Sequence, residues 1–546
     1  MPGVTQQAQN AIERHFSRRL QVDMVGEGVL VGAFAGVIIT CYRMGLSTAE
    51  GLLRGLIPTL GASPALAAGW LLALGFAAVA IARLMQWEPD TRGSGIPQVD
   101  AEVMGRLDMC WPRVIGVKLI EGIVCTVSGL SLGREGPSVQ LGGMAGKGVS
   151  RLFKKERGEE HVLVTCGAAA GMAAAFHAPL AGVLFALEEI HREFNAPLVI
   201  SAMASTAAAD FVSSRVLGVQ PVLHFDTVGT LPHADYGFVL LMGVACGVLG
   251  ALHNRGMFLV QERLYAPLRE RIGDGVLLVP FLTAGVVALA APQLLCGGDA
   301  ILMYLEGHRQ LSVAMVASLL VGKYLFTALC FGSGAPGGTL LPLVIMGSLV
   351  GALFGIGATN AADVPMAYLN NFILLGVAGM FAGSVRAPVT AVVLCFELCG
   401  SLEGLLSATA VSLLAFVTAN LLKVEPFYEH LLDALLEGLP APEGVREEEV
   451  QGSKVLHTHV VGVGSMAEGH TVAEIPWPRN MLIVTIDRAG QRVIPRGTTT
   501  LQALDELLVI MDADLEADTE LLMHGICGGR AKNPSLAGKS GSESAV

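Results

Sequence analysis

The sequence predicts an all-α polytopic membrane protein of tilted and broken helices, followed by a small soluble α+β domain. Three observations carry that prediction. The 546 residues are 52% hydrophobic and only 15% charged, with 67 glycines and a mean hydropathy of +0.59. Apolar stretches of about 20 residues, the length a bilayer core requires, begin near Val29, Leu66, Val114, Leu163, Leu198, Phe238, Val276, Val313, Leu340, Phe372 and Leu405. Several are long or cut by glycine and proline, so half-spanning and tilted helices raise the helix count beyond these. Finally, the apolar pattern stops near Leu435 and a different texture takes over.

Residues 1–24 lack a signal-peptide core and suit a short polar helix carrying Arg14, Arg18 and Arg19 ahead of the first span. The positive-inside rule then puts the N-terminus in the cytoplasm. The membrane domain occupies 25–435. Residues 436–454 form a solvated linker, rich in Pro and Glu from Leu439 to Glu449. Residues 455–527 contain short strand-like runs, Met481–Asp487 and Leu507–Met511, between Pro and Gly turns, as a small α+β domain does. Residues 528–546 are Gly/Ser/Lys-rich and expected to be disordered. The net charge of −12 bears on solubility and does not identify a ligand. The ten cysteines form no CxxC pair, and Cys395 and Cys399, one helical turn apart, suit buried packing better than metal or redox use. Nothing in the composition points to nucleic acid.

The membrane region repeats itself. Ala178-Pro179 is followed nine residues later by Glu188, and Ala387-Pro388 nine residues later by Glu397, each preceded by a Gly-Met pair at Gly171 and Gly379. Two halves follow, about 25–215 and 235–435, and chance similarity between apolar helices is the weaker explanation. Glycine-interrupted segments at corresponding places in two halves point to a midplane site. Here they are Gly133-Arg134-Glu135-Gly136-Pro137 and the 332–342 segment that ends in Pro342, joined by a third break at Gly93-Ser94-Gly95-Ile96-Pro97.

A charged pair between glycines has a cost in hydrocarbon, at least ~2.5–3.5 kcal/mol per charge on insertion scales. Irregular backbone at membrane depth is tolerated where it lines a cavity or ion path. Unpaired N–H groups at helix N-termini carry roughly +0.5 of a charge and replace an anion's lost hydration without binding it irreversibly. The Ser94 hydroxyl can donate to such an anion or simply cap a helix. Ionised Glu135 can occupy an anion's place, and protonated it can leave and carry a proton; alternatively it pairs with Arg134. Glu188 and Glu189 form a second acidic site, in which one can face solvent and the other the protein. No nucleophile or HExxH motif accompanies them, which argues against an enzyme.

The three breaks, with Gly-Gly-Thr-Leu-Leu-Pro at 337–342 as the third, resemble the anion-site motifs of the CLC chloride channels and transporters, and Glu425-Pro-Phe-Tyr428 resembles that family's distal tyrosine segment. The resemblance covers about 25–435, in family order, with 41 residues from Ser94 to Glu135. It implies a homodimer in which each subunit is an inverted repeat with its own anion pathway. Ser94 and Tyr428 would supply hydroxyls to a central chloride, with Gly95 and Ile96 beside it. The amides of Thr339 and Leu340 would face that chloride, and those of Arg134 to Gly136 would form an outer site. Glu135 resembles the external gating glutamate and Glu189 the inner proton-transfer glutamate of proton-coupled members. Lys118 matches a buried lysine near the pore.

Where the family has phenylalanine in its third motif, this chain has Leu340, which keeps main-chain coordination and alters the packing around the anion. Ser94 favours chloride over the nitrate- and fluoride-type branches. The implied function is a chloride/proton antiporter, with a passive chloride channel as the alternative. No cofactor is implied beyond chloride as substrate. Trp477–Asp487, Val493–Gly497 and Leu504–Ile510 resemble the C-terminal ligand-binding subdomain of potassium-transport regulators, the RCK or TrkA-C type. That implies a regulatory, dimerising module with a possible small ligand, or a structural clamp. The expected location is a prokaryotic plasma membrane with both termini cytoplasmic.

Overall fold

The computed structural model describes residues 3–155, 157–192, 194, 196–218, 228–307, 311–401, 404–439, 454–478, 480–488, 491–512 and 515–528. Linker residues 440–453 and tail residues 529–546 lie outside the described residues. Two units result, one running to Gly438 (Met104–Arg106 excepted) and one from Leu439.

The first unit opens with α1 (Gly3–Leu60), which runs without a break from the polar segment through the first span. No glycine or proline lies between Val4 and Val25 to stop it. Then come α2 (Pro64–Trp87), α3 (Ile96–Val103), α4 (Trp111–Val127), α5 (Glu135–Leu152), α6 (Arg157–Phe176), α7 (Pro179–Phe185) and α8 (Ala196–Leu217). The second half comprises α9 (Tyr236–Leu259), α10 (Ala266–Ile272), α11 (Leu278–Ala290), α12 (Asp299–Gly307), α13 (Val313–Gly332), α14 (Leu340–Ala362), α15 (Leu369–Ser384), α16 (Pro388–Cys399), α17 (Leu405–Leu421) and α18 (Phe427–Gly438). Among the described residues seven helical stretches are long and apolar enough to cross a membrane. The shorter helices are the half-spanning pieces the breaks predict. Proline stands at the first position of α2, α7 and α16, where its missing N–H costs nothing.

The halves repeat in their packing. In the first, α5 crosses α6 so closely that a Cβ on Gly142 or Gly146 would overlap the α6 backbone; in the second, Gly347 and Gly351 of α14 meet Gly376 and Phe372 of α15 in the same way. Small residues are what let membrane helices approach to backbone contact. The halves also clasp each other. Glu188, in the π-helical turn that follows α7, accepts from the α16 amides of Val389 (3.3 Å) and Thr390 (2.8 Å). Glu397 of α16 accepts from the α7 amides of Leu180 (2.9 Å) and Ala181 (2.7 Å). Each glutamate thus caps the helix of the other half, a reciprocity that follows from a pseudo-two-fold repeat.

The second unit is a four-stranded antiparallel sheet of β1 (Lys454–Val460), β2 (Met481–Arg488), β3 (Gln491–Val493) and β4 (Glu506–Asp512), in the order β1-β4-β2-β3, with α19 (Glu516–Cys527) packed on one face. The alternation of β4 buries Leu507, Val509 and Met511 against Met523 and Ile526 of α19. Arg488 and Asp505 form a two-pronged ion pair at 2.8 and 2.7 Å. His459 is buried in the interior, and burial first, with His457 and His524 nearby, pushes its pKa down to about 3.

Candidate anion and proton site

The three glycine-rich breaks lie against one another and are laced together by their backbones. Gly93 N donates to Gly334 O (3.1 Å) and Gly337 N to Gly93 O (2.9 Å). Gly133 and Gly338 exchange both of their bonds, at 2.6 and 2.9 Å, as an isolated antiparallel bridge. That bridge joins corresponding positions of the two halves. Gly95 adopts φ +95°, a conformation that suits a residue without Cβ, and turns the chain into α3. Helices α3, α5 and α14 all start from these breaks, Arg134 standing just before α5 and Thr339 just before α14. Ile96, Gly136, Thr339 and Leu340 are all buried there.

Ser94 lies 4% exposed, and its hydroxyl has no partner among the described residues, so it is not used as a helix cap. It touches Gly136, where an added Cβ would overlap Ser94 Oγ. Two positions 42 residues apart thereby meet. Lys118, fully buried on α4, explains the loop's fixed shape: its ammonium donates to the carbonyls of Thr91 (2.7 Å) and Gly93 (2.9 Å). Lys118 is thus a backbone tie for the Ser94 turn.

Glu135 is fully buried, and its Oε2 accepts from Leu341 N of α14 at 3.2 Å. The Arg134 guanidinium stands 3.9 Å from Oε1, which has no hydrogen-bond partner among the described residues. The alternative pairing with Arg134 is therefore only a loose one; the hydrogen bond goes to the N-terminal end of α14, where an anion would also sit. A cavity of about 390 Å³, lined by Tyr42, Glu50, Arg54, Gly133, Arg134 and Leu341 among others, reaches this loop from the side of the C-terminal end of α1.

Tyr428, 2% exposed at the start of α18, packs edge-on against Phe185 and Phe427, with ring centroids 6.1 and 5.4 Å away. Glu189 is 9% exposed. Of the Glu188–Glu189 pair, Glu189 is the buried member and Glu188 is half-buried. Glu188 is bound to α16, including Thr390 Oγ1 at 2.5 Å, because its partner lies some two hundred residues away in the other half. Nothing local to Glu188 in the sequence marks that contact.

Four further charged residues went unmarked in the sequence. Asp100 of α3, 2% exposed, receives Arg192 Nη2 at 3.3 Å, while Arg192 Nε donates to Glu189 O at 3.3 Å; the pair adjoins Glu189. Glu121, one turn after Lys118, is fully buried with no hydrogen bond to either oxygen among the described residues. Lys323 repeats Lys118 in the second half, donating to Leu294 O (3.1 Å) and Cys296 O (2.7 Å). Charges inside the apolar α4 and α13 segments were the available signal for Glu121 and Lys323.

Comparison with known proteins agrees with this geometry. The voltage gated chloride channel family matches residues 73–420, and the TrkA-C domain matches 456–523. The H(+)/Cl(-) exchange transporter ClcA of Vibrio cholerae serotype O1 is 33% identical over 426 residues, spanning 75% of this chain and 89% of that protein. The ClcA of Citrobacter koseri is 31% identical over 370 residues, spanning 66% and 78%. Among solved structures, a slow cyanobacterial Cl-/H+ antiporter superposes with a TM-score of 0.71 at 27% identity, covering 76% of this chain and 98% of its own. A CLC-type fluoride/proton antiporter shares the fold, with a TM-score of 0.62 at 19% identity over 74% and 97%. With three glycine-rich breaks converging between two repeated halves, the chain is a multi-pass membrane protein that belongs to the voltage gated chloride channel (CLC) family and carries a TrkA-C domain.

Proposed function

We propose that the protein is a secondary-active chloride/proton antiporter. The observation that carries this reading is the pair of buried carboxylates, Glu135 at the break before α5 and Glu189 after α7. A passive anion path has no need of a second buried acid.

In this reading chloride is held by the hydroxyls of Ser94 and Tyr428 and by the amides of Thr339 and Leu340, with Gly95 and Ile96 shaping the turn. The amides of Arg134 and Gly136 flank an outer position. Ionised Glu135 holds the α14 N-terminus through Leu341 N. Protonation removes the charge that the helix end attracts, the side chain moves toward the cavity, and chloride takes its place. Glu189 takes up the proton from the opposite side. Leu340 preserves the amide coordination, because that coordination needs no particular side chain.

The active form is a homodimer with one pathway per subunit, in a prokaryotic plasma membrane with both termini cytoplasmic. The TrkA-C domain binds a small regulatory ligand. Reconstituted into liposomes with only a chloride gradient, the protein drives protons uphill; chloride flux without coupled proton movement identifies a passive channel and ends this reading.

A further inference from the structure

Resting on the antiporter reading above, we infer that Arg192 is the positioning residue of Glu189. Its guanidinium clamps the Glu189 carbonyl to Asp100 of α3 and so ties the proton site to the helix that starts at the Ser94 turn. The clamp begins with the way the chain leaves α7. After Phe185 the helix continues as a π-helical turn, Ala186–Ile190, closed by His191 N donating to Ala186 O at 2.8 Å. Such a turn holds one residue more than an α-turn and recurs at functional sites. Arg192 then takes φ +57°, in the left-handed region that disfavours a side chain.

The second half shows the ordinary way to end the same helix. There α16 stops at Gly400, which takes φ +68° without a Cβ to oppose it. Gly400 stands three residues after Glu397 and Arg192 four after Glu188, the difference being the extra residue of the π-turn. The first half therefore has an arginine in the conformation for which the second uses glycine. What that position gains is a side chain that turns back. Nε donates to Glu189 O at 3.3 Å, and Nη2 donates to Asp100 Oδ2 at 3.3 Å.

The first bond satisfies a carbonyl that a helix end leaves open, with a cation at the negative end of the dipole. The second reaches a carboxylate that is 2% exposed and whose other oxygen has no partner among the described residues. The Arg192 side chain is itself 31% exposed, and a fully exposed ion pair contributes little. Here one partner is buried, and two bonds hold the planar guanidinium in one orientation. The effect is geometric: it fixes the backbone of Glu189 relative to α3. Asp100 lies one turn after Ile96, the first residue of α3, and the loop before Ile96 is the Ser94 turn that Lys118 holds. One short helix thus connects the hydroxyl proposed for chloride to the acid proposed for protons. A Glu189 held at fixed reach exchanges its proton in step with chloride; released, it transfers the proton more slowly and chloride passes uncoupled.

The test is paired recording of proton and chloride flux in liposomes containing the full-length protein, as wild type, Arg192→Met, Arg192→Lys and the double variant Arg192→Met with Asp100→Asn. Arg192→Met should lower the proton-to-chloride ratio about tenfold, the rate equivalent of one hydrogen bond's positioning, and keep chloride flux within about twofold of wild type. Arg192→Lys keeps the charge and one of the two bonds, and should recover much of the ratio. The double variant leaves no uncompensated carboxylate buried, should show the same loss of ratio, and serves if Arg192→Met does not fold. Adding Arg192→Met to Glu189→Gln should change neither flux further, because the residue it positions is already replaced. An unchanged ratio in Arg192→Met or the double variant, or proton and chloride flux falling in parallel, overturns the inference, and wild-type coupling in the same assay leaves the antiporter reading standing. Wild-type protein that moves no protons uphill ends both.

Discussion

The two halves of the membrane unit share their backbone ties and differ in the side chains that can carry protons. Lys118 and Lys323 each bind two loop carbonyls, Glu188 and Glu397 each cap a helix of the opposite half, and glycines let α5 meet α6 as α14 meets α15. At the positions between these ties the halves part. The third residue of Gly-Arg-Glu-Gly-Pro is Glu135, and that of Gly-Thr-Leu-Leu-Pro is Leu340. Glu189 follows Glu188, whereas Leu398 follows Glu397. Glu121 stands three residues after Lys118, and Phe326 three after Lys323. The scaffold is duplicated, and at these three positions the carboxylate stands in the first half alone. In the proposed reading the anion is held by helix N-termini from both halves, and the proton is carried by carboxylates of the first half alone.

The largest expected effect breaks the unshared part. Glu189→Gln should abolish proton movement, by about a hundredfold or more as for loss of a proton-transfer group, and leave chloride permeation. Leu398→Gln, the matching change in the second half, should leave coupling intact. Proton movement surviving Glu189→Gln in the liposome assay would erase the asymmetry.

Breaking the shared part should cost stability symmetrically. Glu188→Gln and Glu397→Gln each weaken two charge-assisted bonds to backbone N–H groups, and each should lower unfolding free energy by about 1–3 kcal/mol. Thermal denaturation of the purified protein measures this, and coupling ratios should stay at wild type in both. Uncoupling by Glu188→Gln at unchanged stability would show that Glu188, rather than its neighbour alone, handles protons.

Lys118→Met and Lys323→Met sharpen the comparison further. Both remove a buried tie, but only Lys118 holds the carbonyl next to Ser94. Chloride titration should show about a tenfold weaker affinity for Lys118→Met, the equivalent of one charge-assisted bond, and little change for Lys323→Met. Equal losses would mean that the ties act on stability alone.

The smallest effect lies outside the membrane, where a buried titratable group serves packing. His459 titrates near 3 in the folded domain and near 6.5 when unfolded. The unfolded chain therefore takes up the extra proton as pH falls below about 6.5, and stability present above that value is lost toward 3. The slope is at most about 1.4 kcal/mol per pH unit. Hydrogen exchange of β1 and β4 amides should show that slope in wild type and a flatter one in His459→Phe.

How much of this was visible beforehand depended on range along the chain. All eleven apolar stretches became helices, because about 20 apolar residues in a row admit little else in lipid. The short helices α3 and α7 hold eight and seven residues, too few for a hydropathy signal, and α5 is diluted by glycines, Lys147 and Arg151. The motifs located Ser94, Glu135 and Tyr428, since glycine and proline announce irregular backbone locally. The cap made by Glu188 was not legible, because nothing local distinguishes a capping glutamate from a solvated one. Asp100 and Arg192 escaped for the same reason, as their pairing crosses 92 residues. The repeat itself could have revealed the reciprocal caps, since Glu188 and Glu397 were already matched in sequence.

The most direct test of the central claim is proton movement into or out of liposomes containing the wild-type protein, driven by a chloride gradient alone and recorded beside chloride flux. The account predicts uphill proton transport in fixed proportion to chloride, abolished by Glu135→Gln and by Glu189→Gln. Chloride flux that dissipates its gradient with no proton displacement would contradict it.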